Sequence, residues 1–220
     1  MQIVFVHIPK TGGTSVREAL FRARPDAVNL CDYGADHAST SPLIKLLRYG
    51  PDADLRRLRD ILEDKPAYTL CGHIKAGTFG PTFGAARLLT VLRDPVDRVV
   101  SNYRQCFRRR EFAGSLMEFA RRPDVRNAQF RFTHPYRLDQ WLFVARLERL
   151  AADMAEFAQI LDAPILVDRA NVAPEGPAEI SAAERREILA LNEHDAELYE
   201  SCGRQRTSAH IESAQTDARP

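Results

Sequence analysis

The sequence predicts a three-layer α/β fold, with a central parallel sheet flanked by helices. Two observations lead to this prediction. Short apolar runs rich in β-branched residues, typical of buried parallel strands, alternate with segments whose apolar residues have helical spacing. Glycine and proline, which break regular structure, lie between them. Alternating strands and helices favour a parallel sheet. A crossover helix brings the chain back to the end of the sheet where the previous strand began, so the next strand runs in the same direction.

Three apolar runs predict the strands of this sheet. They are Ile3–Val6, Ala67–Cys71 and Leu88–Leu92, and Ile165–Val167 is a candidate for one more. The helices are predicted from apolar residues that recur every three or four positions. Such stripes begin near Val16, Leu55, Val96, Leu150 and Glu184, and shorter helices are expected at 115–122 and around Leu198.

The remaining segments are predicted to be less regular. Residues 25 to 51 contain several breakers and indicate either a loop with a short helix near Pro42–Arg48 or an acceptor-binding insertion. A glycine-rich loop is expected at 77–84 and an irregular segment at 123–137. The polar stretch from residue 203 predicts a disordered tail, so we expect a single domain over residues 1–202.

Composition limits the classes of function. The chain has 220 residues, of which 45% are hydrophobic, and a formal net charge of +1. This near neutrality favours neither nucleic acid nor an anionic membrane as a partner, so anion recognition has to be local. No apolar stretch reaches the roughly 20 residues of a transmembrane segment. The four scattered cysteines have no disulfide or zinc spacing, and we expect a cytoplasmic protein without a metal site. The oligomeric state stays open.

The strongest functional signal lies between the first strand and the first helix, at Pro9–Ser15. Gly12 and Gly13 allow an anion to approach the backbone, and unpaired N–H groups at a helix start favour negative charge. The side chains that add polar donors are those of Lys10, Thr11, Thr14 and Ser15. The alternative is a glycine turn that only connects the strand to the helix.

The order of residues in this loop differs from that of a Walker A loop. There the lysine follows the glycines, whereas here Lys10 precedes Gly12. A kinase also needs a carboxylate for Mg²⁺ after another strand, and the obvious candidate, Asp94, is flanked by Arg93. An ATP-dependent kinase of the P-loop-like type therefore stays as an alternative that the motif disfavours.

A second basic motif follows the third strand. Arg93 lies at the strand end, and Ser101 lies about two helical turns further along the chain. A guanidinium fork and a hydroxyl can clamp one phosphate group. Alternatively, Arg93 forms a surface ion pair with Asp94, and Ser101 is an ordinary exposed helix residue.

Together the two motifs resemble those of sulfotransferases that use 3′-phosphoadenosine 5′-phosphosulfate (PAPS). Residues 93–103 have that family's pattern Arg-Asp-Pro-x-x-Arg-x-x-Ser-x-Tyr, and Phe5–Ser15 is similar to its carbohydrate branch, which includes heparan sulfate 2-O-sulfotransferase. The resemblance implies a P-loop-like fold, PAPS as co-substrate without a metal, and a saccharide or glycolipid acceptor. It implies that Lys10 to Ser15 hold the 5′-phosphosulfate, and that Arg93 and Ser101 hold the 3′-phosphate.

A weaker similarity concerns the acceptor. The segment Asn127–Arg131 resembles the family's Asn-x-Gln-x-Arg segment. The resemblance implies substrate-binding roles for Asn127, Gln129 and Arg131. It does not distinguish contacts with the acceptor from contacts with the donor.

His73 is the predicted general base. It follows the second strand, at the sheet edge where Lys10 and Arg93 also lie, and ligands collect at the carboxyl ends of strands in such sheets. An imidazole with an ordinary pKa of about 6.5 suits proton abstraction. Its Gly-His context also resembles the one that carries the base in the 2-O-sulfotransferase group. The alternatives are a loop histidine bonded to backbone, and a base at Glu63, Asp64 or Glu111.

We therefore predict an enzyme that transfers a sulfuryl group from PAPS to a hydroxyl or amine. His7, inside the first strand, is predicted to pack or to support the loop. The second alternative function is a catalytically silent module that binds 3′-phosphoadenosine 5′-phosphate (PAP). The presence of both Lys10 and His73 counts against it.

Overall fold

The computed structural model describes residues 1–167 and 180–202. Within them, five parallel strands form one sheet in the order β2-β3-β1-β4-β5. The strands are β1 (Gln2–Val6), β2 (Val28–Asp32), β3 (Tyr68–Gly72), β4 (Leu88–Leu92) and β5 (Phe143–Arg146). The expected disordered tail from residue 203 lies outside the described residues.

Helices connect and follow these strands. They are α1 (Gly13–Ala23), α2 (Pro42–Ile44), α3 (Leu55–Glu63), α4 (Ala76–Phe83), α5 (Pro95–Arg108), α6 (Leu116–Ala120), α7 (Ala128–Thr133), α8 (Leu150–Leu161) and α9 (Ala182–Leu191). A π-helical turn at Lys45–Tyr49 continues α2, and residues 193–202 are also helical. The predicted α/β class with a central parallel sheet is thereby confirmed.

The structure corrects the sequence prediction at both sheet edges. The edge strands β2 and β5 were not predicted, because each pairs on one side and alternates buried with half-buried residues over part of its length. The predicted strand at Ile165–Val167 is wrong, since these residues have no regular structure.

Helix α4 replaces the predicted glycine-rich loop at 77–84. Its glycines and Pro81 weaken helix propensity, but packing overrides that preference. A Cβ on Gly80 would lie 2.2 Å from a ring carbon of Tyr136, so a side chain does not fit there. Helix α7 likewise lies inside the segment 123–137 that was expected to be irregular.

The described chain divides into two compact units. The first comprises residues 1–93 and 131–167, and the second comprises 94–130 and 180–202. The first unit contains the whole sheet, and its core includes buried side chains of α1, the central strands and α8, among them Phe5, Leu20 and Phe157.

The second unit has an apolar core of its own. Helices α5, α6 and α9 contribute to it through Val99, Phe119 and Ile188, all of which are buried. A capping box at the start of α9 joins Ser181 and Glu184.

Helix α1 is fastened to the sheet at its carboxyl end. Arg24, the residue that follows α1, is buried, and its guanidinium donates to the carbonyl oxygens of Met1 and Tyr68. It also donates to the Thr69 hydroxyl at 3.0 Å. These bonds tie the end of α1 to the first residues of β1 and β3.

Candidate active site

Three neighbouring strands end at the candidate site. β1 leads into the loop before α1, β3 ends just before His73, and β4 ends just before Arg93. β1 pairs in parallel with both β3 and β4, so the carboxyl ends of the three strands lie side by side. The structure therefore brings Lys10, His73 and Arg93 to one edge of the sheet.

The loop at Lys10–Gly12 presents the start of α1. Gly12 has a left-handed φ of 82°, which favours glycine, and Lys10 has a φ of 72°. Within the described part of the chain, no side chain caps α1. Its first N–H groups, together with Thr14 and Ser15 on the first turn, therefore form a surface suited to an anion.

Thr11 stabilises the loop from inside. Its side chain is buried, and its hydroxyl donates to the Ile8 carbonyl oxygen at 2.9 Å. This bond uses the only hydroxyl proton of Thr11, so the side chain stabilises the turn, and the role of Thr11 in binding PAPS stays a prediction.

Arg93 connects the end of β4 to the loop. Its Nη1 donates to the Lys10 carbonyl oxygen at 3.2 Å, and both residues are half-buried. This contact places a guanidinium directly beside the backbone of the predicted anion site.

The next residues of the second motif belong to the second unit. The Asp94 carboxylate caps α5 by accepting from the Asp97 N–H at 2.9 Å, and it lies 3.7 Å from the Arg185 guanidinium. The carboxylate that a kinase would need for Mg²⁺ is therefore used as a helix cap. Ser101 is half-buried in the middle of α5.

His73 lies at the carboxyl ends of the strands, partly accessible to solvent. Its backbone N–H donates to the Asp32 carbonyl oxygen at 2.9 Å, which fixes the residue relative to β2. Partial burial lowers the pKa of His73 below its ordinary value, and a positive charge on His37 acts in the same direction. The Asp32 carboxylate opposes both effects. A neutral imidazole is therefore favoured near neutral pH.

His7 lies buried beneath the loop. Its ring fills the space that a Cβ on Gly13 would need, since that atom would lie 2.0 Å from Cδ2 of His7. Burial lowers the pKa of His7 to about 3, with smaller contributions from the positive charges of His73, Arg17 and Lys10. His7 is thus neutral, and its position fits the predicted role in supporting the loop.

Tyr33 also belongs to this edge and was missed by the sequence prediction. It directly follows β2, and its ring centroid lies 4.9 Å from that of His73 in an edge contact. The signal that could have revealed it is an aromatic residue at a strand end. That signal depends on recognising β2, which the mixed residues 25–51 conceal.

The three residues predicted to bind the acceptor differ from one another in their surroundings. Gln129 is fully buried, and the backbone N–H groups of Gln129 and Phe130 donate to the Asp195 carboxylate at 3.2 and 2.8 Å. The side chain of Asn127 accepts from the Asp195 N–H at 3.2 Å. Arg131 is half-buried and belongs to the first unit. The roles of Asn127, Gln129 and Arg131 in binding an acceptor stay predictions.

The alternative bases have other neighbours. Glu63 forms an ion pair with Arg87 and accepts from the Gln2 side chain, at the amino-terminal end of the strands. Asp64 follows α3, and Glu111 lies 3.8 Å from Arg109 in the second unit. Glu63 therefore lies at the amino-terminal ends of the strands, whereas Lys10 lies at their carboxyl ends.

Clusters of metal-ligating side chains are absent from the described residues. Among these residues, no group of three or more His, Cys, Asp and Glu side chains is arranged to hold a metal ion. In the same part of the chain, no helix is both long and apolar enough to cross a bilayer.

Comparison with known proteins supports the fold. No protein-family model matches the chain, and a search among curated proteins finds no match. Among solved structures, the chain is similar to the crystal structure of a sulfotransferase from Alicyclobacillus acidocaldarius, with 19% identity and a TM-score of 0.51. The match covers 92% of this chain and 96% of that one. The two proteins therefore share an α/β fold with a central parallel sheet flanked by helices.

Proposed function

We propose that this chain is a sulfotransferase that takes its sulfuryl group from PAPS. The observation that carries the proposal is the meeting of the Lys10 loop, Arg93 and His73 at the carboxyl edge of the sheet. The shared fold with a protein described as a sulfotransferase supports it. The acceptor is a hydroxyl or amine, and the resemblance of the loop to the carbohydrate branch favours a saccharide or glycolipid.

The donor-binding residues fit an anionic nucleotide. The first N–H groups of α1 and the Lys10 ammonium supply the positive potential that a 5′-phosphosulfate requires. A Cβ on Gly13 would lie 2.0 Å from the His7 ring and one on Gly12 would lie 2.6 Å from a Leu147 methyl group, so the two glycines let the loop pack closely on the residues beneath it. From the resemblance, the 3′-phosphate is assigned to Arg93 and to Ser101.

In the proposed reaction, neutral His73 accepts the proton of the acceptor hydroxyl. The acceptor oxygen forms a bond to sulfur while the bond between sulfur and the 5′-phosphate oxygen breaks, and PAP leaves. Lys10 and the N–H groups at the start of α1 stabilise the negative charge that develops on the leaving oxygen. The lowered pKa of His73 keeps its imidazole in the form that can accept a proton.

From the resemblance, acceptor binding is assigned to Asn127, Gln129 and Arg131. Arg131 suits a carboxylate or sulfate on a saccharide, because a guanidinium binds planar anions with two parallel bonds. Asn127 and Gln129 belong to the hydrogen-bond network around Asp195 in the second unit, and their part in acceptor binding rests on the resemblance alone.

The test is a transfer assay with labelled PAPS over glycans, glycolipids and small alcohols. Label that moves from PAPS to a saccharide or glycolipid supports the proposal. An assay with ATP labelled in the γ-phosphate tests the kinase alternative in parallel. Tight binding of PAP without turnover on any acceptor would instead indicate the silent binding module.

A further inference from the structure

A tyrosine and three histidines meet at the edge of the sheet. We call His7, Tyr33, His37 and His73 the histidine–tyrosine cluster. The ring centroid of Tyr33 lies 4.9 Å from that of His73, 5.4 Å from that of His37 and 5.8 Å from that of His7. Tyr33 is therefore the one member that contacts the rings of the other three. The proposed reaction gives a chemical role only to His73.

The hydroxyl of Tyr33 has an ordered set of partners. Nη1 of Arg17, at 3.2 Å, can only donate, so the phenol oxygen accepts that bond. The single phenol proton then goes to Nδ1 of His7 at 3.0 Å, a stronger acceptor than the Cys71 sulfur at 3.7 Å. This order leaves the proton of neutral His7 on Nε2. The chain Arg17–Tyr33–His7 thus joins α1 to the residues that directly follow β1 and β2.

The opposite side of His7 supports the loop. Its Cδ2 and Nε2 atoms would lie 2.0 and 2.4 Å from a Cβ on Gly13, so the ring packs directly against the first residue of α1. A shift of His7 consequently shifts the N–H groups at the start of α1. The ring of Tyr33 contacts His73, the proposed base. Its hydroxyl bonds to His7, which in turn packs against the loop.

We propose that Tyr33 is a positioning residue that holds the base His73 with its ring and the anion-binding loop with its hydroxyl. The inference rests on the proposed function, since it assigns a common support to the donor site and the base. The two contacts are separable, because phenylalanine keeps the ring and loses the hydroxyl. Leucine loses both.

The surroundings of His73 make the ring contact measurable. The groups that face this imidazole are His7 directly after β1, Asp32 at the end of β2, and Tyr33 and His37 from the segment after β2. Partial burial is the largest cause of the lowered pKa of His73. Removing the Tyr33 ring admits water, so the pKa of His73 should rise towards its ordinary value.

The experiment compares Tyr33→Phe and Tyr33→Leu with Tyr68→Phe as the matched control. The Tyr68 hydroxyl also accepts from an arginine, Nη1 of Arg87 at 3.0 Å, but at the opposite end of β3. Two measurements need no acceptor: calorimetry of PAP binding, and NMR titration of the His73 Cε1–H signal.

We expect Tyr33→Phe to weaken PAP binding about tenfold without moving the His73 pKa, because it removes the bonds of the hydroxyl to Arg17 and to His7. Tyr33→Leu should weaken PAP binding similarly and raise the His73 pKa. Tyr33→Leu should also lower kcat about tenfold or more relative to wild type, because a misplaced base accepts the proton slowly. Tyr68→Phe should change neither the PAP affinity nor the His73 pKa.

Normal PAP affinity in Tyr33→Phe overturns the hydroxyl role, and an unmoved His73 pKa in a folded Tyr33→Leu overturns the ring role. Equal losses in Tyr68→Phe also overturn the proposal, because they indicate general destabilisation. If Tyr33→Leu does not fold, the PAP affinity of Tyr33→Phe decides. If the variants show these PAP and pKa effects but the wild-type chain transfers no sulfuryl group to any acceptor, the proposed function alone is refuted.

Discussion

Replacing Gly13 by alanine should disturb the loop through the ring beneath it. The new Cβ would lie 2.0 Å from Cδ2 of His7, a distance well inside van der Waals contact. The ring cannot retreat freely, because Nδ1 is hydrogen-bonded to Tyr33 and the residue is only 7% exposed. Either His7 or the start of α1 must therefore move.

The cost follows from two opposing terms. Forcing an extra carbon into a packed site costs about 1–3 kcal/mol. Alanine is the better helix former at the first position of α1 and returns up to about 1 kcal/mol. The middle values of these two terms give a net destabilisation of about 1.5 kcal/mol. For a chain of this size, at about 2–4 °C per kcal/mol, Tm should fall by about 3–6 °C.

Urea unfolding of Gly13→Ala, His7→Ser and the double variant measures this contact. Once the imidazole is gone, the Gly13→Ala substitution should cost less than about 0.5 kcal/mol, because the two residues no longer collide. Thr14→Ala is the control, since Thr14 already carries a Cβ and is half-buried on the same turn. A Gly13→Ala chain as stable as wild type, or an equal cost in both backgrounds, would refute the reasoning.

The remaining predictions concern turnover and the donor. His73→Ala should lower kcat by about 10²- to 10⁴-fold with PAP affinity near wild type, because a general base acts on the acceptor proton; retained turnover would place the base elsewhere. In wild type, kcat should fall as the pH drops through the His73 pKa, and the lowered pKa puts this fall below pH 6.5; a flat profile there contradicts the assignment. Lys10→Ala should lower kcat more than it weakens PAP binding, whereas a raised KM alone would make Lys10 a ground-state ligand. Calorimetry should show PAP binding at least about tenfold tighter than AMP, and Arg93→Ala or Ser101→Ala should narrow that gap; equal affinities would remove the role given to both residues.

The central part of the fold could be predicted from the sequence because its signals are local. β1, β3 and β4 are covered on both faces, so each is an unbroken apolar run. Edge strands carry weaker signals, as Val28–Asp32 shows with its asparagine and aspartate. Helix α4 depends on a contact distant in sequence, between Gly80 and Tyr136, which no local pattern reveals.

The candidate site divides in the same way. Lys10, His73 and Arg93 each follow a recognisable strand, so their shared sheet edge could be inferred from the order of strands and motifs along the chain. Tyr33 follows a strand that the sequence conceals, and its importance arises only from the rings and hydrogen bonds around it. The interior position of Gln129 could not be predicted either, because it depends on Asp195, distant in sequence.

The attachment of α1 at its far end has a consequence for ligand affinity. Arg24 locks the carboxyl end of α1 to the beginnings of β1 and β3, while the amino end faces the predicted anion. The axis of the helix, and with it the direction of its dipole, is therefore set during folding. If the proposed anionic donor binds here, it meets N–H groups that are already aligned, and little of its binding free energy is spent on reorganising the protein.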